Sequence, residues 1–110
     1  DLDAHKDLIR VTVPTSGSQI SNPLIVTGQA RGNWYFEASF PVVLLDGNGQ
    51  EIARNPAQAQ SNWMTTEFVP FTVTLSFTKP TTTTGTLILK KDNPSGLPDK
   101  DDFISIPIKF

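Results

Sequence analysis

From Phe71 to Phe77 the chain reads Phe-Thr-Val-Thr-Leu-Ser-Phe, with apolar and hydroxyl side chains alternating without a break. A period of two is the spacing of a strand with one face buried, because successive Cβ atoms point to opposite sides of the pleat. A helix would scatter the same side chains around its whole circumference. Shorter stretches of this alternation recur along the 110 residues, and no apolar pattern holds the helical period for more than a few positions. Nine Pro and seven Gly punctuate these stretches, giving turn signals about every ten to fifteen residues. The fold class expected is all-β: a seven-stranded antiparallel sandwich of immunoglobulin-like or fibronectin-like type, forming one domain over residues 8–110. The opening DLDAHKD, residues 1–7, is polar and aperiodic and is expected to be a linker or a disordered end.

The first strand, Leu8 to Val13, is expected to place Ile9, Val11 and Val13 on one face, and the second, Pro23 to Ala30, to turn Leu24 and Val26 inward. The third, Phe36 to Asp46, aligns Phe36, Ala38, Phe40, Val42 and Leu44. Asp46-Gly47-Asn48-Gly49 then supplies residues that favour positive φ, which predicts a hairpin to the next strand. That fourth strand, within Glu51 to Gln60, is interrupted by Asn55-Pro56 and is expected to be irregular or at an edge. Phe68 to Phe77 forms the fifth, and Thr86 to Lys91 the sixth, burying Leu87 and Leu89. Phe103 to Phe110 forms the seventh, burying Ile104, Ile106 and Ile108, with Pro107 marking an edge. With no Cys in the chain, packing alone must hold such a fold together.

A formal charge of −2 leaves no basic surplus for a phosphate backbone, so nucleic acid is not an expected partner. No apolar run approaches the roughly 20 residues of a membrane-spanning helix. The chain begins at Asp1 rather than Met, so it is expected to be a piece of a longer protein, anchored through a part that precedes it. The isolated domain is expected to be a monomer.

Strand connections alternate between the two ends of a sandwich, and their composition differs sharply. One end receives PTSGSQISN, DGNG and KPTTTT, nearly all small turn formers. The other receives RGNWY, SNWMTTE and DNPSGLPDKDD, which gather both Trp, the only Tyr and the only Met. Aromatic and charged side chains on loops of a rigid scaffold are what binding surfaces are made of. The residues singled out for partner binding are Arg31, Trp34, Tyr35, Glu37, Trp63, Glu67, Asp92 and Asn93. Each also has a plainer reading. Trp34 shares the parity of Phe36 and Phe40 and can plug the core, as can Trp63 and Met64. Tyr35 and Glu37 take the opposite parity and are expected to face water. Arg31, Glu37 and Glu67 can form an ion-pair set that orders the loops.

Catalysis is not expected. His5 is the sole His and lies in the opening segment, Ser95 has no other candidate base, and nothing fixes a separation between Glu37 and Glu67 that would suit a glycosidase. Asp92, Asp99, Asp101 and Asp102 offer oxygen ligands of the kind Ca²⁺ takes, but without the spacing of a known calcium loop. No metal or cofactor is expected.

Three long blocks, ARGNWYFEASFPVVLLD, WMTTEFVPFTVTLSF and DNPSGLPDKDDFISIPIKF, resemble in this order the immunoglobulin-like domain of bacterial spore germination, the second of the germination-associated domains. The resemblance covers Ile9 to Phe110. It implies an extracytoplasmic module of bacterial envelope proteins, often lipoproteins, with no catalytic residues. It falls on Arg31, Trp34 and Glu37, on Trp63, Glu67 and Phe68, and on Asp92, Asn93, Pro94 and Gly96. Tyr35 and Asp99 depart mildly from it, standing where Phe and Glu are expected. The function expected is an interaction module that binds an envelope protein or a cell-wall glycan through this loop end. The alternatives are a structural spacer and a calcium-dependent module.

Overall fold

The computed structural model describes residues 5–93, 97 and 101–110. Seven strands follow one another: β1 (Ile9–Val13), β2 (Leu24–Arg31), β3 (Ser39–Asp46), β4 (Glu51–Ala59), β5 (Phe68–Leu75), β6 (Thr84–Lys90) and β7 (Phe103–Lys109). All neighbours pair antiparallel, in the order β1-β2-β5-β4-β3-β6-β7. The groups β1-β2-β5-β4 and β3-β6-β7 are the strand sets of the two sheets of a constant-type immunoglobulin domain. Here β4 joins them: it runs beside β3 from Glu51 to Gln58 and meets β5 at Gln58↔Thr72 and Ala59↔Phe71. The result is a single curled sheet.

The inward side chains of every strand meet in one cluster inside the curl, including Ile9, Val26, Phe40, Ala57, Phe71, Leu89 and Ile106. At its centre the rings of Phe40 and Phe71 contact edge to face, 5.0 Å between centroids. The alternation read in the sequence therefore becomes the packing of the core, with Val69, Phe71, Val73 and Leu75 all buried on β5. Strands β6 and β7 bury the residues expected of them, and β7 lies at an edge of the sheet, as Pro107 suggests.

Three strands differ from expectation for identifiable reasons. A register shift between Val11 and Val13 turns Val13 outward, leaving it exposed. Strand β4 passes through Asn55-Pro56 unbroken and lies inside the sheet rather than at its edge. Pro56 faces Pro41 of β3, so both missing N–H groups fall at one register position. On the other flank β4 pairs with β5 only at Gln58 and Ala59, which gives the proline the local edge it needs. Strand β3 begins at Ser39, three residues late, because a tight turn precedes it.

The expected hairpin joins β3 to β4. The Asp46 carboxylate accepts from the backbone N–H groups of Asn48 and Gln50, each at 2.9 Å, and Gly49 adopts φ 80°. After β1 the chain crosses to the far edge, where residues 17–20 run parallel to the end of β7. Gly17 N–H donates to Pro107 O at 2.7 Å, Lys109 N–H to Ser18 O at 2.9 Å, and Ile20 N–H to Lys109 O at 2.8 Å.

Candidate functional site

The connection after β2 organises the loop end. Gly32–Trp34 makes one turn of 3₁₀ helix, closed by Tyr35 N–H donating to Gly32 O at 3.1 Å. Gly32 lies hard against the β4–β5 connection, since a Cβ there would stand 1.9 Å from Thr65 O and 2.3 Å from Trp63 O. Only glycine fits. The Gly32 N–H donates to Glu67 O at 3.1 Å, and the Trp34 carbonyl accepts from Asp92 N–H at 3.0 Å. Residues 32–34 thus touch both other connections, and the three loops that composition grouped do assemble.

Their aromatic side chains point elsewhere than a binding surface requires. Trp34 is 1% exposed and plugs the core. Its indole Nε1–H is buried without a hydrogen-bond partner among the described residues. Tyr35, expected to face water, is 4% exposed. Its hydroxyl donates to Val69 O at 2.6 Å and its ring meets Phe40 edge-on, 5.2 Å between centroids. The 3₁₀ turn resets the parity, so that consecutive residues both enter the core. Burial pushes the Tyr35 phenol well above the usual tyrosine range. Trp63 is half-buried against the same core.

Phe36 is the residue turned outward. Its N–H donates to Ser39 O at 2.9 Å and the Ser39 N–H returns to Phe36 O at 3.1 Å, which closes a two-residue turn. Glu37 and Ala38 occupy it with φ 50° and 67°, the left-handed geometry of hairpin turns usually given to Asn or Gly. Phe36 is 40% exposed as a result, and Met64 of the neighbouring loop 72%. The exposed large apolar side chains of the first two loops are therefore Phe36 and Met64, with Leu97 and Phe103 exposed in and just after the third, and sequence parity assigned Phe36 to the core.

The charged residues are partly engaged with one another. Arg31 donates to Thr66 O at 3.3 Å and to the Glu67 carboxylate at 3.4 Å, and its guanidinium lies 4.1 Å from the centre of the Phe68 ring. The Arg10 guanidinium lies 4.3 Å from the same ring. Glu67 is largely in water, so its pairing with Arg31 contributes little stability. Glu37 takes no part in that ion pair, so the expected three-member set reduces to two. Asn93 donates to Leu97 O at 2.8 Å and to the Asp101 carboxylate at 2.6 Å, and so fastens the base of its own loop. Pro94, Ser95, Gly96 and Asp99 lie outside the described residues. Among the described residues no group of three or more His, Cys, Asp or Glu is placed to hold a metal ion.

The opening segment supplies contacts that no local pattern announces. His5 Nε2 lies 2.7 Å from Asp102 Oδ1, 97 positions along the chain, and its ring meets Trp34 edge-on at 6.2 Å. Arg31 Nε–H donates to Asp7 O at 3.0 Å, Arg10 Nε–H to Lys6 O at 2.7 Å, and Arg31 N–H to Leu8 O at 2.8 Å. From residue 5 onward, the segment expected to be a linker is fastened to the loop end.

A profile of the immunoglobulin-like domain of bacterial spore germination matches residues 8–96. The chain belongs to that family. No curated protein and no solved structure matches it. In this spore-germination immunoglobulin-like domain the matched span holds β1 to β6 and the whole of the first two loops, including the turn that carries Phe36. The domain offers a loop end of exposed Phe36, Glu37, Met64 and Glu67 on a backbone pinned by Gly32, Tyr35 and Asp92.

Proposed function

We propose that this domain is a non-catalytic interaction module of an extracytoplasmic, envelope-associated protein and that it binds a protein partner through its loop end. The observation that carries this reading is the turn at Phe36–Ser39. Two hydrogen bonds and two left-handed residues hold a large apolar side chain out in water on a rigid backbone. Exposed apolar anchors with charged neighbours are the chemistry of protein interfaces; exposed Glu37 follows Phe36 in the chain and exposed Glu67 lies three residues beyond Met64. Membership of a germination family supports the envelope setting. Cell-wall glycan is the less favoured ligand, because sugar stacking needs free ring faces and those of Trp34 and Tyr35 are in the core.

A photo-crosslinking amino acid placed at Phe36 or Met64, and at Ile25 as an exposed control, tests the reading in the cells that make the protein. An adduct of one defined protein mass from positions 36 and 64, absent from 25, supports it. Equal labelling from all three positions, or none, rejects it. Adducts that lysozyme-type digestion of the cell wall removes would transfer the site to a glycan.

A further inference from the structure

We infer that residues 5–8 form a strap that docks in cis on the loop end and opens independently of the sheet, so that the Trp34 and Asp102 surface is available to a partner only when the strap is released. The inference rests on the loop end being the contact surface. Among the described residues, polar contacts tie each residue of the strap to its surroundings. His5 reaches Asp102 at 2.7 Å, the carbonyls of Lys6 and Asp7 accept from the guanidinium groups of Arg10 and Arg31, and the carbonyl of Leu8 accepts from the Arg31 backbone. Leu8 packs against the core and the His5 ring against Trp34, while Lys6 and Asp7 are exposed. A short segment with one apolar side chain and two exposed guanidinium–carbonyl hydrogen bonds belongs to the low-stability end of a fold, where local opening is frequent.

The surface beneath the strap is suited to exchange between the two states. Closed, it keeps the Trp34 indole N–H without a hydrogen-bond partner among the described residues, and such a buried donor costs stability that hydration restores. Open, it presents the Trp34 ring edge, the Asp102 carboxylate and the Arg31 Nε–H in one place. These are an aromatic, an acid and a base at the same end as Phe36 and Met64. The strap uses each of them: the His5 ring for Trp34 and Asp102, and a main-chain carbonyl for Arg31. A partner that engages this surface therefore displaces the strap. An extended peptide that presents main-chain carbonyls and a basic or imidazole side chain replaces its contacts one for one.

Two measurements on the full chain test the strap without any partner, so their failure removes the strap and leaves the loop-end reading to its own test. In a Trp63→Phe background Trp34 is the sole Trp. There His5→Ala is expected to raise acrylamide quenching of Trp34 about threefold, with Tm within a few degrees of the parent, as release of a locally stable segment requires. Asp102→Asn should move quenching the same way, and the double variant no further than His5→Ala alone. Unchanged quenching in His5→Ala, or quenching that rises only in step with a large fall in Tm, overturns the inference. In the unsubstituted chain, the Leu8 amide, which donates to His5 O at 2.7 Å, should exchange with deuterium at least about a hundredfold faster than the Val73 amide of β5. Equal rates mean that residues 5–8 open only with the whole fold, which also overturns it.

Discussion

Removal of the Tyr35 hydroxyl takes away its 2.6 Å hydrogen bond to Val69 O and leaves the ring packed on Phe40. Tyr35→Phe is expected to lose about 1 to 2 kcal/mol, a fall in Tm of roughly 4 to 12 °C in a domain of this size. The same side chain sets an alkaline limit. Burial raises the folded phenol above its unfolded value, so the stability it contributes is full below about pH 10 and is lost as pH rises beyond it. Tyr35 is the chain's only Tyr. Tyrosinate absorbance should therefore appear in one cooperative step together with loss of the β-sheet circular dichroism, and Tyr35→Phe should lack that source of alkaline destabilisation. A phenol that ionises while the sheet is intact would contradict the burial. The sequence pointed to this neighbourhood by its rare residues but could not say which of them would face water. Trp34 and Tyr35 are adjacent, and strand parity sends adjacent residues to opposite sides. A single 3₁₀ turn, fixed by the close approach of Gly32 to Thr65 and Trp63, sends both inside. That approach joins residues far apart in sequence and leaves no local trace.

The turn between Phe36 and Ser39 holds two residues in a conformation that costs about 1 to 2 kcal/mol each for side chains other than glycine. Ala38→Gly relieves one of them and is expected to raise the urea midpoint by the equivalent of about 0.5 to 1 kcal/mol, after the greater freedom of glycine in the unfolded chain is subtracted. A lower midpoint would mean that the Ala38 methyl packs where its half-buried position only hints at it. The turn also explains why β3 starts later than its sequence suggests. Phe36, Ala38 and Phe40 alternate as a strand would, and the hairpin dipeptides that announce such a turn, Asn-Gly and Asp-Gly, are absent here but present at Asp46–Gly49, where the turn was legible. Strands whose inward face is continuously apolar, such as β5 and β7, could be read almost to the residue. Strand β4 could not, because its place inside the sheet depends on Pro56 standing opposite Pro41, a relation between two strands rather than a property of either.

Because every strand contributes to one cluster, damage at its centre should be felt by the whole domain. Phe71 touches Phe40 and sits on the strand that β4 reaches at Ala59. Phe71→Ala is expected to cost about 3 to 5 kcal/mol, against a total stability of order 5 to 15 kcal/mol. Denaturant unfolding of the variant should stay a single transition at a much lower midpoint. Two separate transitions would mean that β1-β2-β5 and β3-β6-β7 fold as independent halves. The architecture was legible from strand count and turn spacing. The strap was not, since His5 and Asp102 meet across nearly the entire chain and neither stands in a periodic segment. The parallel run of residues 17–20 along β7 is equally non-local, and it has a mechanical meaning. A pull applied at His5 and Phe110 draws that segment and β7 lengthwise past each other, and their three backbone hydrogen bonds bear the tension together in shear. Antiparallel strands peeled from one end break such bonds one after another. The contact that covers the tail of the β7 edge is thus also the one that would carry a load applied between these two points.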